Sequence, residues 1–304
     1  MATKTILILG AGYTGKELIR LVADTDYNIV ATSRNDETTA FIKRHGGIAI
    51  DWNVDDSTIP WAEHLGPSTT VVYSIPTLYR HYESNDDPPR HVAPVARAVE
   101  TCRDQGADRF IYLSSTSVYG DHGGEWVDET TPRDPTSPYG EMRRDIEDYL
   151  EAFDADFPIN IARLVGIYGP GRTLIDLIDS GRYTLVDGGR SVTNRVHVHD
   201  IARALIAIIE RGPDGFRVFN VTDGRPQPSR SVVEFICENT DVDMPPEETL
   251  DEYAARRDNP NAVARRKNTI RVLNDRLRNE LDFKPVYPDV FAGYQQILYG
   301  SESN

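Results

Sequence analysis

Short apolar runs alternate along the chain with amphipathic stretches, and this alternation constrains the fold more than any other feature. Apolar residues recur at helical spacing over 15–24, 36–45, 90–106 and 138–154. Strands that alternate with helices form β-α-β units around a parallel sheet. The sequence therefore predicts an α/β fold, a Rossmann-type doubly wound parallel sheet that binds ligand at the carboxyl ends of its strands. The apolar runs are TILILG, NIVATS, GIAID, TVVYSI, RFIYLSS, INIARLVG and RVFNVT.

From about residue 168 the alternation loosens into turns and polar segments, such as YGPGR, DGGRS and GRPQPS. This change predicts a smaller C-terminal substrate lobe. Residues 197–222 have the pattern of a helix and a strand that return to the main sheet. We therefore predict a Rossmann domain over 1–167, with 197–222 returning to it, and a substrate lobe over 168–196 and 223–300.

Charge and composition limit the partners. The net charge of −15 repels a phosphate backbone and no basic stripe offsets it, which argues against nucleic acid. The sequence shows no signal-peptide pattern and no apolar run of membrane-spanning length, and its two cysteines lie far apart. We expect a cytoplasmic protein that binds a small-molecule substrate and neither nucleic acid nor a membrane.

A glycine-rich loop, GAGYTG at 10–15, follows the first apolar run and opens an amphipathic stretch. In this pattern the first glycine permits a tight turn, the second lets the backbone approach a pyrophosphate, and the third allows close helix packing. The pyrophosphate then lies at the helix N-terminus. A plain glycine turn is the alternative. The predicted cofactor contacts here are Gly10, Gly12, Tyr13, Thr14 and Gly15.

Ser33 and Arg34 end the second apolar run, where an NAD-binding protein carries an acidic residue that holds the adenine ribose. A carboxylate accepts from the 2′-hydroxyl group and repels a 2′-phosphate, whereas serine and arginine donate to that phosphate. We therefore predict NADP as the cofactor, with NAD less favoured. The alternative is that Arg34 faces solvent at the start of a loop.

Four further segments follow the glycine loop in order: RFIYLSSTSVYGD, SPYGEMR, ARLVGIYGPGR and NRVHVHDIARAL. With them the chain resembles the extended and atypical short-chain dehydrogenase/reductases, the NAD-dependent epimerase/dehydratase family. The run SSTSVYGD…ETTPRDP is most similar to atypical bacterial members described as sugar-epimerase-like. The resemblance implies NAD(P)-dependent hydride transfer on a polar hydroxyl or carbonyl compound, sugar-derived compounds included. It also implies a homodimer built by helices near 90–106 and 138–154.

The resemblance assigns catalytic roles to two hydroxyl groups. Tyr139 takes the place of the general acid/base, and Ser115 that of the residue that hydrogen-bonds the reacting oxygen. Two hydroxyl groups can hold one oxygen atom and share the charge that develops on it. The alternative for Ser115 is a turn serine at a strand end.

Arg143 departs from the family pattern, which has a lysine four residues after the tyrosine. A tyrosine pKa near ~10 must fall for the hydroxyl to act as a base at neutral pH, and a nearby cation favours that shift. Arginine keeps the positive charge, but it cannot release its proton and its planar group is shaped differently. Arg143 is therefore a catalytic candidate, with a surface pair to Glu147 as the alternative. The competing function is an NADP-binding sensor or scaffold with little or no turnover.

Other positions transfer from the resemblance by their place in the motifs. Gly166 stands where sugar-nucleotide members carry an asparagine that binds the diphosphate, which argues against a nucleotide-sugar substrate. The remaining implied cofactor contacts are Asp51, Ser74, Ile75, Pro76, Ser114, Tyr139, Arg143, Leu164 and Val165. The candidate substrate contacts, each with a plain surface role as the alternative, are Tyr79, Arg80, Ser117, Arg172, Asn194 and Arg195.

The segment VHVHD, residues 196–200, has the His-x-His spacing of metal hydrolases. His197 and His199 would face one way on a strand. The segment also matches the family's motif before a core helix, in which Asp200 caps the helix. We therefore predict no metal site.

Overall fold

The computed structural model of the 304-residue chain describes residues 3–77 and 89–300. The strands are β1 (Thr5–Leu9), β2 (Asn28–Ser33), β3 (Ile48–Asp51), β4 (Thr69–Tyr73), β5 (Arg109–Ser115), β6 (Trp126–Val127), β7 (Ile159–Leu164), β8 (Gly166–Tyr168), β9 (Leu185–Val186), β10 (Val192–Thr193), β11 (Arg195–His197), β12 (Phe216–Val221), β13 (Gln227–Pro228), β14 (Glu247–Glu248) and β15 (Arg271–Val272). The helices are α1 (Tyr13–Val22), α2 (Asp36–Arg44), α3 (Ala93–Asp104), α4 (Pro138–Glu151), α5 (Ile175–Asp179), α6 (Val198–Arg211), α7 (Ser229–Glu238), α8 (Leu250–Ala255), α9 (Pro260–Lys267), α10 (Asp275–Leu281) and α11 (Val290–Tyr299).

A seven-stranded sheet in the order β12-β7-β5-β4-β1-β2-β3 forms the centre of the fold. The pairs β1–β2, β1–β4, β2–β3 and β4–β5 run parallel. The strand order reverses between β1 and β4, and ligands of such sheets bind in the crevice beyond the carboxyl ends at that point. The predicted Rossmann-type α/β fold is confirmed.

The central strands β1, β4, β5 and β7 are buried on both faces, which explains their continuous apolar runs. In β1, four consecutive residues from Ile6 to Leu9 have no exposed surface. On α1, Leu18, Ile19 and Val22 are buried at helical spacing. Helix α1 begins at Tyr13, two residues before the predicted start, because Gly12 takes the N-cap with an extended backbone.

The described chain divides into two compact units with interleaved segments. Unit 1 consists of Met1–Ser115, Met142–Arg163 and Ile201–Phe219, and unit 2 of Thr116–Glu141, Leu164–Asp200 and Asn220–Asn304. Residues 116–141, which the sequence placed in the first domain, group with unit 2 because hydrogen bonds join them to residues 261–269. That unit 1 binds cofactor and unit 2 binds substrate stays a prediction.

Candidate functional site

In unit 1 the glycine loop leaves β1 at the point where the strand order reverses. Gly10 has a φ of +91°, and a Cβ atom there would lie 2.8 Å from Ile75 Cγ1 and 3.1 Å from Ile75 N. A Cβ atom on Gly15 would lie 3.2 Å from the carbonyl oxygen of Gly10. The chain itself therefore requires the first and third glycines, the first also through its left-handed backbone.

Gly12 differs from its two neighbours in the motif. A Cβ atom at this position would meet nothing within 4 Å, and the φ of −76° suits any residue. Helix α1 starts here without a side-chain cap and without an acidic residue in its first turn. An open backbone at an uncapped, positively polarised helix end fits a pyrophosphate group.

Thr32 of β2 holds the glycine loop in place. Its Oγ1 accepts from Gly10 N at 2.8 Å, and its carbonyl oxygen accepts from Ala11 N at 3.0 Å. The threonine is 2% exposed, so both bonds are shielded from water. Thr32 is not among the residues predicted from the sequence; its place on β2, directly before Ser33, is the only sequence signal for this role.

At the end of β2, the hydroxyl group of Ser33 is engaged by its own loop. Ser33 Oγ donates to Asn35 O and accepts from Asn35 N, both at 3.1 Å. Ser33 also pairs in register with Asp51 at the end of β3, which places an exposed carboxylate at the same edge. Arg34 is exposed. Of these two residues, Arg34 therefore offers an exposed positive charge, while Ser33 has already used its one proton.

The segments that follow β4 and β5 meet the same edge of the sheet. Ser74 N donates to Leu9 O at 2.8 Å, which fixes Ser74 to Pro76 beside the glycine loop. Thr77 Oγ1 lies 3.5 Å from the hydroxyl oxygen of Tyr112 on β5. Ser115, the last residue of β5, is half-buried.

Arg143 of α4 points toward the end of β5. Its Nη1 donates to Tyr112 Oη at 2.7 Å and to the carbonyl oxygen of Leu113 at 2.6 Å, and its guanidinium carbon lies 5.4 Å from the Tyr112 ring centroid. Burial raises the pKa of Tyr112, and the Arg143 charge opposes that rise. Arginine here is therefore held by the protein itself, with Nη1 committed to two acceptors.

Glu147, one turn further along α4, is fully buried. It accepts from Arg163 Nη2 at 2.6 Å and from Arg163 Nε at 3.1 Å. Ser114 Oγ donates to its Oε1. The alternative of a surface pair between Arg143 and Glu147 is wrong, because the carboxylate lies in the interior and faces Arg163. Ser114, predicted as a cofactor contact, is 3% exposed and bonded to this carboxylate.

In unit 2, Tyr139 is the second residue of α4 and its side chain is 41% exposed. Its backbone N–H donates to Asn261 Oδ1 of α9 at 2.9 Å. The next residue, Gly140, has no room for a side chain, since a Cβ atom would lie 2.6 Å from Ser117 O and 2.7 Å from Pro135 Cβ. The first turn of α4 is thus packed tightly on its backbone side. Asn261 is not among the residues predicted from the sequence.

Gly166 of β8 lies under the side chain of Arg195 on β11, its parallel partner strand. A Cβ atom on Gly166 would lie 3.0 Å from Asn194 O and 3.1 Å from Arg195 Nη1. Asn194 uses its amide group within the fold: Nδ2 donates to Ile270 O and Oδ1 accepts from Val272 N, both at 2.9 Å. The space that an asparagine at 166 would need is filled by this chain's own residues.

A buried carboxyl group lies near Arg195. Asp223 is 8% exposed, its Oδ1 accepts from Arg225 N at 2.8 Å, and its Oδ2 has no hydrogen-bond partner among the described residues. Burial raises the pKa of Asp223 to about 7; the charges of Asp289 and Asp200 add to the rise, and Arg195 opposes it.

The other predicted site residues differ in their exposure to solvent. Leu164 and Val165 are buried, Ser117 is half-buried, and Arg172 is exposed. Tyr79 and Arg80 lie outside the described residues. Unit 2 also has a cavity of about 480 Å³, with Arg257 and Lys267 among its charged groups; it is bordered by Asp121, Thr136, Arg257, Asp258, Asn259, Pro260, Val263, Ala264, Lys267 and Asn268.

The VHVHD segment packs into unit 2. The His197 ring centroid lies 4.2 Å from that of Tyr287. Asp200 stands inside α6, which begins at Val198, and accepts from Val286 N at 2.7 Å and from Tyr287 N at 2.9 Å. It therefore joins α6 to a distant loop instead of occupying the predicted cap position. In residues 3–77 and 89–300, no group of three or more His, Cys, Asp and Glu side chains is arranged to hold a metal ion.

Among the helices within residues 3–77 and 89–300, none is both long enough and apolar enough to cross a membrane.

Comparison with known proteins points to one family. The sequence model of the family described as the NAD dependent epimerase/dehydratase family matches residues 6–222 of this chain. Protein YeeZ of Escherichia coli (strain K12) is 34% identical over 135 residues, which are 43% of this chain and 46% of that protein. The match thus spans under half the length of this curated relative.

Solved structures share the fold over almost the whole chain. A functionally unknown conserved protein from Silicibacter pomeroyi has a TM-score of 0.80 at 31% identity, covering 97% of this chain and 98% of that one. DesIV, a dTDP-glucose 4,6-dehydratase from Streptomyces venezuelae with NAD and TYD bound, has a TM-score of 0.78 at 17% identity, covering 97% and 95%. At 17% identity the likeness to DesIV concerns the fold alone.

Proposed function

Since the chain belongs to the NAD-dependent epimerase/dehydratase family, we propose that it is a nicotinamide-dependent oxidoreductase or epimerase-like enzyme. Its substrate is a small polar hydroxyl or carbonyl compound, with sugar-derived compounds in that class. The observation that carries the proposal is the open backbone at Gly12, where a side chain would meet nothing within 4 Å. NAD(P), when bound, supplies hydride transfer.

The residues of unit 1 bind and orient the cofactor. The open backbone at Gly12 and the N-terminus of α1 receive the pyrophosphate, and Thr32 keeps the loop in shape for it. Asp51 and residues 74–76 flank the adenosine and ribose groups. Arg34 supplies the charge that favours NADP over NAD, because a guanidinium group binds a phosphate in a charge-assisted pair.

Tyr139 and Ser115 handle the proton and the reacting oxygen. Tyr139 donates or accepts the proton at its hydroxyl, and Ser115 Oγ hydrogen-bonds the carbinol or carbonyl oxygen. Arg143 stands one turn after Tyr139 on α4, so both side chains leave the same face of that helix. Arginine keeps a permanent positive charge at the position where the family pattern has a lysine.

Gly166 and its neighbours support the proposed substrate class. Arg195 and Asn194 O fill the space beside this glycine. An asparagine that binds the diphosphate of a nucleotide sugar therefore has no room at position 166, and this supports a substrate of another kind. We place the polar part of the substrate near Arg195 and Arg172, both of which offer positive charge.

The cofactor proposal is tested by fluorescence titration with NADPH and NADH. We expect the parent protein to bind NADPH more tightly, and Arg34→Ala to weaken NADPH by about tenfold while leaving NADH within about twofold. Arg44→Ala, at the last residue of α2, is the matched control and leaves both unchanged. Equal affinities for the two cofactors in the parent would contradict the NADP assignment.

Turnover is tested with a panel of ketoses, aldoses and nucleotide sugars, in the presence of the preferred cofactor. We expect Tyr139→Phe to abolish whatever reaction the parent catalyses and to leave cofactor binding intact. Activity that survives in Tyr139→Phe would overturn the assignment of the acid/base.

A second candidate, an NADP-binding sensor or scaffold with little turnover, is favoured by the engagement of Arg143 Nη1 with Tyr112 and Leu113. Arg143→Lys separates the two functions. Tyr139-dependent activity in the parent supports the enzyme, whereas activity that appears only in Arg143→Lys supports the sensor.

We also propose a homodimer assembled through α3 and α4, in a cytoplasmic setting. Light scattering of the purified protein tests the assembly, and a mass equal to a single chain would contradict it.

A further inference from the structure

Tyr139 occupies a helix position whose backbone needs an outside partner. The first N–H groups of an α-helix have no acceptor within the helix. In α4, Gly140 N is satisfied by Ser137 Oγ at 3.2 Å. Tyr139 N instead donates to Asn261 Oδ1, 122 residues further along the chain, at 2.9 Å.

Asn261 is built into a well-anchored helix. It is 8% exposed, and its neighbours Ala262 and Ala264 on α9 are buried as well. Asn259 caps the helix, since its Oδ1 accepts from Ala262 N at 3.1 Å, and Pro260 takes the first position, which suits its fixed φ. The amide oxygen of Asn261 is therefore held by a helix with a defined start.

The other end of α9 is fixed to unit 2 by aromatic side chains. The guanidinium carbon of Arg266 lies 4.6 Å from the Tyr183 ring centroid and 5.7 Å from that of Tyr253. Its Nη1 also donates to Tyr183 Oη at 3.2 Å. Just beyond the helix, Asn268 Nδ2 donates to Thr136 Oγ1 at 2.6 Å. α9 and its C-cap residue thus make two separate contacts in this region, one with Tyr139 in α4 and one with Thr136 just before α4.

The tight packing around Gly140 explains why the hydrogen bond to Asn261 fixes the position of Tyr139 in particular. Because Gly140 is packed against Ser117 O and Pro135, the backbone of the first turn is closed on that side. Asn261 supplies the polar contact from α9, so the Cα atom of Tyr139 has little freedom to shift. The direction in which the phenol ring leaves the helix follows from that Cα position.

We propose that Asn261 is a positioning residue that fixes the first turn of α4 and thereby the place of the Tyr139 hydroxyl group. The inference rests on the proposed function only in taking Tyr139 as the acid/base. Asn261 touches neither substrate nor cofactor in this role.

Fluorine NMR of protein labelled with 3-fluorotyrosine tests the proposal, and Tyr139→Phe identifies the Tyr139 signal by its loss. Asn261→Ala removes the acceptor and leaves a good helix former in α9. Asn261→Asp keeps an oxygen at the same place and suits a first helical turn. Asn268→Ala, which removes the contact with Thr136, is the matched control. All variants are first compared by thermal unfolding.

We expect Asn261→Ala to broaden the Tyr139 signal about twofold in line width, or to split it into two signals. The reason is that the ring then exchanges between several positions. Asn261→Asp restores the parent line, and Asn268→Ala leaves it unchanged. A parent-like signal in Asn261→Ala, or equal broadening in Asn268→Ala, overturns the proposal. If Asn261→Ala does not fold, Asn261→Ser, which shortens the polar side chain, takes its place in the same comparison.

The outcome is separable from that of the proposed function. Cofactor titration of the parent reports on cofactor use whatever the Tyr139 line does, and the NMR comparison needs neither cofactor nor substrate.

Discussion

Arg143 Nη1 and Tyr112 Oη form a hydrogen bond 2.7 Å long at the carboxyl end of β5. The cation that stands where related proteins have a lysine is therefore bound by a fully buried tyrosine and by a backbone carbonyl group. Binding by the protein fixes the direction of the guanidinium group before any ligand arrives, which lowers the conformational entropy lost when a ligand binds.

Tyr112→Phe should lower the free energy of unfolding by about 1–3 kcal/mol, because it leaves a partly buried guanidinium donor without its hydroxyl acceptor. Chemical denaturation measures the loss. Tyr149→Phe is the matched control, since its hydroxyl donates to Glu100 Oε1 at 2.8 Å on the exposed side of α4. There we expect a change below about 1 kcal/mol. Similar losses of unfolding free energy at both positions would show that the hydrogen bond between Tyr112 and Arg143 stabilises the fold no more than an exposed one does.

Gly12→Ala and Gly10→Ala should separate folding from cofactor binding. At Gly12 the added methyl group meets open space, so thermal unfolding stays close to that of the parent while NADPH affinity falls by about tenfold or more. At Gly10 the methyl group strikes the Ile75 backbone and strains a φ of +91°, so stability falls by about 1–3 kcal/mol as well. Parent-like NADPH binding by Gly12→Ala would argue against pyrophosphate at this turn.

Asp223 should make the stability of the protein pH-dependent in a defined direction. Its carboxyl pKa rises from 3.8 to about 7 on folding, so the folded state binds the proton more tightly than the unfolded state. Stability therefore falls as pH rises from about 4 to about 7 and stays lower above that window. Asp223→Asn keeps the acceptor for Arg225 N and removes the charge.

Unfolding of Asp223→Asn at pH 5 and pH 8 checks this dependence. The variant should be the more stable protein at pH 8, by on the order of 4 kcal/mol at most, with a flatter profile across the window. Asp214→Asn, a substitution at an exposed carboxylate, serves as control. An unchanged pH profile in Asp223→Asn would contradict the burial-driven shift.

Gly166→Asn should destabilise the protein because the new side chain overlaps Asn194 O and Arg195 Nη1. We expect a loss of about 1–3 kcal/mol, typical of overpacking. Arg195→Ala removes one of the two obstacles, so the double variant should lose less than the sum of the two single losses. A double-mutant cycle by chemical denaturation measures the difference, and strict additivity would mean that Arg195 does not obstruct position 166.

The parts of the site that the sequence predicted depend on local geometry. The loop GAGYTG follows a strand and opens a helix, and both its sharp turn and its open second glycine arise within a few residues. The parallel, doubly wound sheet followed from the alternation of apolar and amphipathic segments. The partners of the catalytic candidates did not, because Arg143 meets Tyr112 across 31 residues and Tyr139 meets Asn261 across 122. Such pairs depend on tertiary packing, which no local pattern encodes.

Glu147 shows the same limit from another side. Spacing at i,i+4 suggested a pair with Arg143, yet the fold places its carboxylate against Arg163 from the neighbouring strand β7. A helical spacing rule describes an isolated helix, and in this chain a buried arginine on the sheet outcompetes it.

Thr32 and Ser33 are consecutive on β2, so their side chains leave opposite faces of the strand. Thr32 secures the glycine loop, and Ser33, with Arg34, is where we propose that the adenine ribose is recognised. This alternation separates the anchoring of the glycine loop from the proposed choice of cofactor. Residues 33 and 34 can therefore be exchanged for an acidic pair, by design or by natural selection, while Thr32 and its hydrogen bonds to the loop are kept.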